Sequence, residues 1–571
     1  MIDAAHKLPR PFQHHCLVVV VLFCLLSVAA TWPLAVHLRT AVPLGSETVA
    51  TVPLFNSWAI WWNADRVRVG FRDYWDAPIF HPTRGMFALS EPLPLTAAAS
   101  PLTWFAGSPA LTMNVLVLAA LMVNGWSGYR LLLEIGLGVP AALCGGAMTL
   151  LLPFVHQELG VFQLVWVCGG VWVVHALVRL CQAPATGTAV ALGLSYAFTY
   201  LACTYYGVFL LPVLAASVIW LLWGRWKRIA VWGALAGSMV VTVLLTWPVV
   251  VGQARAVRQH ELRRSPQKLR ELSATLDSYT HTAWRSPIGV PCGGVGGASA
   301  FPMCPGSVKV GLAAVGIVAG FWSPRTRRWT GFCVTFGVVA LLLSLGPRLQ
   351  VCGWSPYTWL AALPGFGQAR SVFRFGVFVQ IAVAWLAAGA LDGLWRIVRE
   401  KRGRLAYNLR AVFFGLLILT GTVATIELWP PPQRVFVVPH AAAQQWVQWL
   451  RDDTSPDAVI VHLPIPTGAT AADYEPTALA MYLQTVHGRR MVNGYSGFFP
   501  GSSDRMCEQL RHFPDAASVG AVSASDIDYC IVDHRLISRE AMAAACRESR
   551  AILLPVLDDT ANNVGVYRVM R

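Results

Sequence analysis

The chain has 571 residues, 55% of them hydrophobic and 13% charged, with a formal net charge of +15. Soluble globular chains carry roughly 25% charged residues, so this composition excludes an ordinary soluble protein. Residues 431–571 hold 12 Arg, no Lys and 15 Asp or Glu, a net of −3, which leaves +18 on the preceding part; basic residues at the edges of membrane spans explain that excess without nucleic acid.

In chain order, apolar segments at 16–36, 112–133, 139–155, 161–181, 184–203, 205–223, 229–251, 307–323, 329–346, 373–395 and 409–429 predict about eleven transmembrane helices. Most are long enough for a hydrocarbon core of ~30 Å. The first reads as a retained span, because its run is too long for a signal peptide and no small-x-small site precedes Trp32-Pro33. Between the first two lies an external loop, 38–111. Its piece 93–105 is apolar but short and broken by proline, so a re-entrant or interfacial helix is expected.

The basic clusters Lys7/Arg10, Arg225/Lys227/Arg228, Arg325/Arg327/Arg328 and the run from Arg396 to Arg410 all fall on one side in this scheme. That side is the cytoplasm, and the N-terminus lies there. The second external loop, 253–305, is also basic (Arg258, Arg263, Arg264 and Lys268 among others), but long loops obey the charge rule weakly. Cys292 and Cys304 bracket its Gly-rich stretch and could pair in an oxidising compartment.

After Trp429-Pro430-Pro431-Pro432 the composition changes, which marks a boundary between a membrane domain (1–430) and a soluble one (431–571). Helices are expected near 441–450, 476–486 and 540–546. Strands are expected near 459–463, 490–492, 528–532, 552–556 and 564–569. The alternation predicts a small extracytoplasmic α/β domain. It has no GxGxxG or P-loop, and no C-x-x-C or Cys/His cluster marks a zinc site.

Chemistry is concentrated in the first loop. Glu47, Asp76 and Glu91 sit there among Trp58, Trp61, Trp62, Trp75 and Asn63. Carboxylates serve as general bases for a sugar hydroxyl, and aromatic faces stack on sugar rings. A second constellation is Arg370 and Arg374, four residues apart at the external start of a span, where two guanidinium groups would suit a lipid phosphate. A third is His156, Glu158 and Gln163 in a short external turn, with Tyr205-Tyr206 in the next. Asn493-Gly494-Tyr495-Ser496-Gly497 reads as a tight turn with positive φ at Asn or Gly. Ser496 with His487 or His534 as base is conceivable, but the G-x-S-x-G elbow is absent.

A carboxylate about ten residues beyond the first span, on a long external loop, resembles the GT-C superfamily of membrane glycosyltransferases. More closely, Asn56-Ser57-Trp58, Trp61-Trp62-Asn63, Phe80-His81-Pro82, Ser90-Glu91, Leu363-Pro364-Gly365-Phe366, Arg370, Arg374-Phe375 and Val492–Pro500 resemble a group of bacterial multi-spanning proteins assigned to it. The resemblance implies a bacterial inner-membrane enzyme that moves a sugar from a polyprenyl-phosphate donor to an extracytoplasmic glycan, lipid or protein. Glu47 would be the base, with Asp76 and Glu91 in support. Arg370, Arg374, His156, Glu158, Gln163, Trp58, Trp62 and Asn63 would bind substrate. Well-known members carry an acidic pair here, whereas Glu47 is followed by Thr48. No cofactor is indicated, and a divalent metal is left open. The alternative is a non-catalytic membrane protein: a transporter, lipid-handling or surface-assembly factor.

Overall fold

A computed structural model describes residues 12–260, 265–291, 293–295, 301–363, 365–400, 404–468, 470–549 and 552–570. Among them, six helices are long and apolar enough to cross a membrane: Pro109–Glu134, Val139–Gln157, Phe162–Gln182, Thr204–Leu222, Ile229–Gln259 and Val372–Arg399. The shorter apolar helices Leu17–Ala30, Ser307–Trp322 and Arg410–Ile426 pack beside them. Thr186–Ala202 lies against Cys168–Gln182 and Ile229–Gln259, and Arg327–Ser344 against Thr204–Leu222 and Gly376–Glu400. The chain is a polytopic helical membrane protein.

Apolar side chains gain little from leaving lipid for one another, so helices in a bilayer associate through close backbone packing. Gly316 shows the device. A Cβ there would lie 2.2 Å from the Leu386 carbonyl oxygen, so only glycine lets Ser307–Trp322 seat on Gly376–Glu400.

Hydrogen bonds sort the helix ends onto two faces. On one, Ser46 donates its amide to the Gln157 carbonyl (2.7 Å), Gln157 reaches the Pro302 carbonyl (3.0 Å), and Phe373 donates to the Leu272 carbonyl (3.0 Å). On the other, Asp392 accepts the Gly138 amide (2.8 Å) and Arg396 donates to the Gly136 carbonyl (2.5 Å). The stretch 93–105 forms the 3-10 helix Pro94–Ala99 and the seven-residue helix Ser100–Ala106. At ~1.5 Å per residue the latter spans a third of a hydrocarbon core, and it packs on the loop helix Thr51–Arg68.

The C-terminal segment forms a five-stranded sheet in the order Arg490–Met491, Val459–Leu463, Tyr529–Asp533, Val564–Val569, Leu553–Asp559. The first three strands are parallel and the last two pairings antiparallel. The period of two along Val459–Leu463 divides its side chains between two cores. Val459, Val461 and Leu463 face a small cluster with Val532 and Leu553, while Ile460 joins Ile531, Val566, Met481 and Trp446 in the main core, continuous with the helical bundle. The segment is therefore fastened to the membrane part. Its strand Val435–Val437 pairs antiparallel with Ala41–Pro43 of the first loop, and helix Glu475–His487 packs on Thr51–Arg68.

Three details depart from the sequence reading. Residues 441–443 form a 3-10 turn, with the helix proper at Gln445–Asp453; Ala-rich residues favour any helix, and packing chooses its start. Helices Gly501–Gln509 and Ala516–Ser523 were not anticipated, since the first is strongly polar and the second short. None of Asn493, Gly494 and Gly497 has positive φ. Glycine is needed at 494 for close approach instead, because a Cβ would lie 2.6 Å from the Phe80 ring. The expected Cys292–Cys304 pair involves a residue outside those described.

Gln484 ties the two parts together. Buried, it accepts from the Trp58 indole N–H (2.8 Å) and donates to the carbonyls of Pro78 (2.6 Å) and Arg489 (2.7 Å). Gln484→Ala leaves the Trp58 N–H and the Arg489 carbonyl unpaired, while the Pro78 carbonyl keeps the Met491 amide (3.0 Å), and each unpaired buried group costs about 1–3 kcal/mol. The purified variant is expected to lose about 2–4 kcal/mol, read as a drop of several degrees in its thermal unfolding midpoint. An unchanged midpoint would show that the loop does not depend on this contact.

Candidate active site

The site is built by bringing two backbones into contact. After strand Ala41–Pro43 the chain turns at Gly45 (φ 60°), and a Cβ there would lie 2.3 Å from the Gln157 carbonyl oxygen. A Cβ on Gly160 would in turn meet the Leu44 carbonyl at 2.5 Å. Two glycines thus allow the first loop to lie directly on the 157–160 turn. The consequence is electrostatic: Glu47, on the loop, comes close enough for its charge to act on Glu158, on the turn.

Arg374 is the centre of this pocket. It lies in the 3-10 turn Val372–Phe375, is only 9% exposed, and packs its guanidinium 4.4 Å from the Tyr205 ring centroid. Its Nε has no hydrogen-bond partner, and it enters no salt bridge among the described residues. Its charge acts on three carboxylates, Glu47, Glu91 and Glu158. Arg370 also acts on Glu47, and the Tyr495 hydroxyl lies against both. The two arginines do not share a helical face as their spacing predicts, because Arg370 sits in irregular chain before the 3-10 turn. The glycines at 365 and 367 and the loop beneath them favour an irregular entry over a continued helix.

Burial is the dominant force on the acids. It pushes the Glu47 carboxyl above its ordinary range, opposed by the charges of Arg374 and Arg370. Burial pushes Glu158 up to about 7, with Arg374 opposing and Glu47 reinforcing. Glu91 is also raised by burial. Its Oε2 accepts the Thr204 amide (3.3 Å) at the N-terminus of Thr204–Leu222, the helix that carries Tyr205. A carboxylate is well placed there, where free amides and the helix dipole favour negative charge. Glu91 therefore positions the Tyr205 face under Arg374.

Other residues expected in the site are used structurally. Asp76 accepts the Gly85 amide (2.8 Å) and closes its own loop. Trp58 and Trp62 are buried, their indole N–H groups donating to Gln484 and to the Tyr74 carbonyl (2.9 Å). Asn63 is buried too. It donates to the Pro92 carbonyl (2.7 Å) and the Thr96 hydroxyl (3.1 Å) and accepts from Tyr74 (2.8 Å). These three cannot offer a face to a sugar; they anchor the segment that bears Glu91. His156 donates Nε2–H to the Leu150 carbonyl (3.2 Å) at the end of the preceding helix, Val139–Leu150. Gln163 is buried, and its Oε1 has no partner.

Ser496 is buried and its hydroxyl has no partner. His487 accepts the Arg489 amide (3.1 Å), and His534 lies beside Tyr567, so neither acts as its base. Lys268 forms an exposed ion pair with Glu271 (3.2 Å) rather than a phosphate clamp, and Arg263 and Arg264 lie outside the described residues. Two tyrosines complete the pocket. Tyr495 belongs to a motif already singled out in the sequence, whereas Tyr357, whose buried hydroxyl has no partner and faces Tyr205, carried no signal. Among the described residues no three His, Cys, Asp or Glu come together with metal-holding spacing.

A multi-spanning helical bundle, an external loop folded against it and an acid–arginine cluster between them make up the architecture of this chain. Solved structures agree with this at the level of fold. The arabinofuranosyltransferase AftD from Mycobacteria superposes with a TM-score of 0.60 over 98% of this chain at 15% identity, and a mutant form of it with 0.56 at 16%. The match takes in 40% of the AftD chain, so this protein spans well under half the length of that enzyme. ArnT from Cupriavidus metallidurans aligns more loosely, over 98% of both chains at 14% identity with a TM-score of 0.47. No family model and no curated protein matches the sequence.

Two predictions follow from this geometry. Gly45→Ala forces a positive φ on alanine and drives its methyl into the Gln157 carbonyl, which costs on the order of 1–3 kcal/mol of strain. The Glu47 turn lifts from the 157–160 turn, and a cysteine pair engineered at 46 and 159 should then cross-link more slowly than in the parent. Glu158 titrates near 7 when folded and near 4.5 when unfolded, so between those values the folded state holds the extra proton. Its contribution to stability accordingly falls as pH rises through that window. Glu158→Gln should gain thermal stability relative to the parent on going from pH 5 to pH 8, and a constant difference would refute the burial of that carboxyl.

Proposed function

We propose that the chain is an inverting membrane glycosyltransferase whose donor is a polyprenyl-phosphate sugar. The buried Arg374, ringed by three carboxylates and left without a salt bridge, is the observation that supports this reading. A buried guanidinium without a direct ion pair is expensive, and the lipid phosphate of a donor would supply a close anion that the more distant carboxylates do not. Arg370 and Tyr495 would hold the second side of that phosphate. Glu47, between the arginines and the loop surface, takes the proton of the acceptor hydroxyl as the oxygen attacks the anomeric carbon. The carbon–phosphate oxygen bond breaks in line, and the lipid phosphate leaves with its charge held by the two arginines.

The acceptor is an envelope glycan, lipid or protein. With eleven crossings and a cytoplasmic N-terminus, the first loop, the acid–arginine cluster and the 431–571 domain would lie on the extracytoplasmic face of a bacterial inner membrane. The basic clusters at Arg225–Arg228, Arg325–Arg328 and Arg396–Arg410 then all meet the cytoplasm, as the charge rule asks. The fold neighbour is an arabinofuranosyltransferase, which makes arabinofuranose the first sugar to try beside hexoses.

Transfer from a panel of radiolabelled polyprenyl-phosphate sugars tests the assignment. Glu47→Gln should lower kcat by about 10²–10⁴-fold while leaving the thermal unfolding midpoint within a degree or two. Arg370→Gln should act mainly on donor KM. The base works only as a carboxylate, and burial raises its pKa, so activity should climb with pH through a point above the ordinary carboxylate range and fall below it. Full activity in Glu47→Gln would remove this carboxylate from the reaction.

A further inference from the structure

On the face opposite the acid–arginine pocket lies a cavity of about 390 Å³, between the ends of Val139–Leu150, Gly376–Glu400 and Arg404–Ile426. Its polar end carries Arg325, Arg396 and Arg399. Arg396 is already engaged, paired with Asp392 (2.6 Å) and bonded to the Gly136 carbonyl. Arg325 and Arg399 are exposed and have no carboxylate partner among the described residues. With three arginines against one aspartate, the lining is left cationic by two charges.

The other wall is apolar. Trp395 packs against Phe414 (ring centroids 4.8 Å apart, planes tilted by 55°), and Leu417 and Ile418 continue it along the last apolar helix. Phe414 and Ile418 are exposed on a helix that runs with the bundle, so this wall opens sideways towards the acyl chains rather than into water. Cationic at one end and greasy at the other, the cavity has the polarity profile of an amphiphile lying at a membrane interface. Its volume falls in the range of small-molecule sites.

We propose that this cavity is a binding site for the phosphate head group and upper chain of an anionic membrane lipid, taken from the leaflet opposite the acid–arginine pocket. Arg325 and Arg399 clamp the phosphodiester, and the Trp395–Phe414–Ile418 wall takes the first part of the chain. The site is independent of the transfer reaction proposed above.

Native mass spectrometry of the full chain in a neutral detergent tests it, with dioleoylphosphatidylglycerol, dioleoylphosphatidylcholine and inorganic phosphate as separate probes. Phosphatidylglycerol should be retained in preference to phosphatidylcholine, and phosphate alone should not be retained. An arginine near an anionic head group is worth about fivefold in affinity, so Arg325→Gln/Arg399→Gln should weaken phosphatidylglycerol retention about 25-fold. Lys227→Gln/Arg228→Gln, on the same face but outside the cavity, should leave it unchanged. Equal retention of the two lipids, an equal loss in both double variants, no loss in the first, or tight binding of free phosphate would each overturn the assignment.

Discussion

A guanidinium buried without an ionic partner of its own is the constraint around which this protein is arranged. Removing such a charge from water is costly, and no single carboxylate closes on Arg374 to offset it. Instead the charge is shared over three acids that burial itself drives towards neutrality, and over the face of Tyr205. Such an arrangement is held together by everything around it. The turn at Gly45, the 157–160 turn, the N-terminus of Thr204–Leu222 and the irregular entry to Gly376–Glu400 each contribute one group, and each is fixed by backbone contacts rather than by the charges.

Packing follows the same logic at larger scale. The helices are held close by small residues, as at Gly316, and the loop helix Thr51–Arg68 is buried on nearly all sides. Its aromatic residues, which look like a sugar platform in isolation, are consumed in roofing the bundle and seating the C-terminal sheet.

Much of this was legible in the sequence, and the parts that were not share a physical cause. Apolar runs near twenty residues announce helices, and strands such as 459–463 and 564–569 announce themselves through β-branched content between turn residues. Glu47, Arg370 and Arg374 could be picked out because charge is rare here and each stands at the edge of an apolar run. Residue type does not say which face of a loop helix is covered: Trp58 meets Gln484 more than 400 positions away, whereas Trp62 and Asn63 are covered by the 74–96 part of their own loop. Tyr357 was invisible for the same reason: its neighbour Tyr205 lies on another helix. The Gly45–Gln157 contact has no local signature at all, since glycine in a turn looks alike whether it serves a dihedral angle or a neighbour.

Glu475 accepts the Ala50 amide (2.7 Å) at the start of the loop helix, and Thr51 donates to the Ala471 carbonyl (2.6 Å). The first turn of this helix is thus sealed by residues more than 400 positions further along the chain. Until residues 471–475 have been made and folded back, the loop that bears Glu47 lacks its clasp. A chain stopped short of them would carry its apolar helices yet leave that outer loop unfastened.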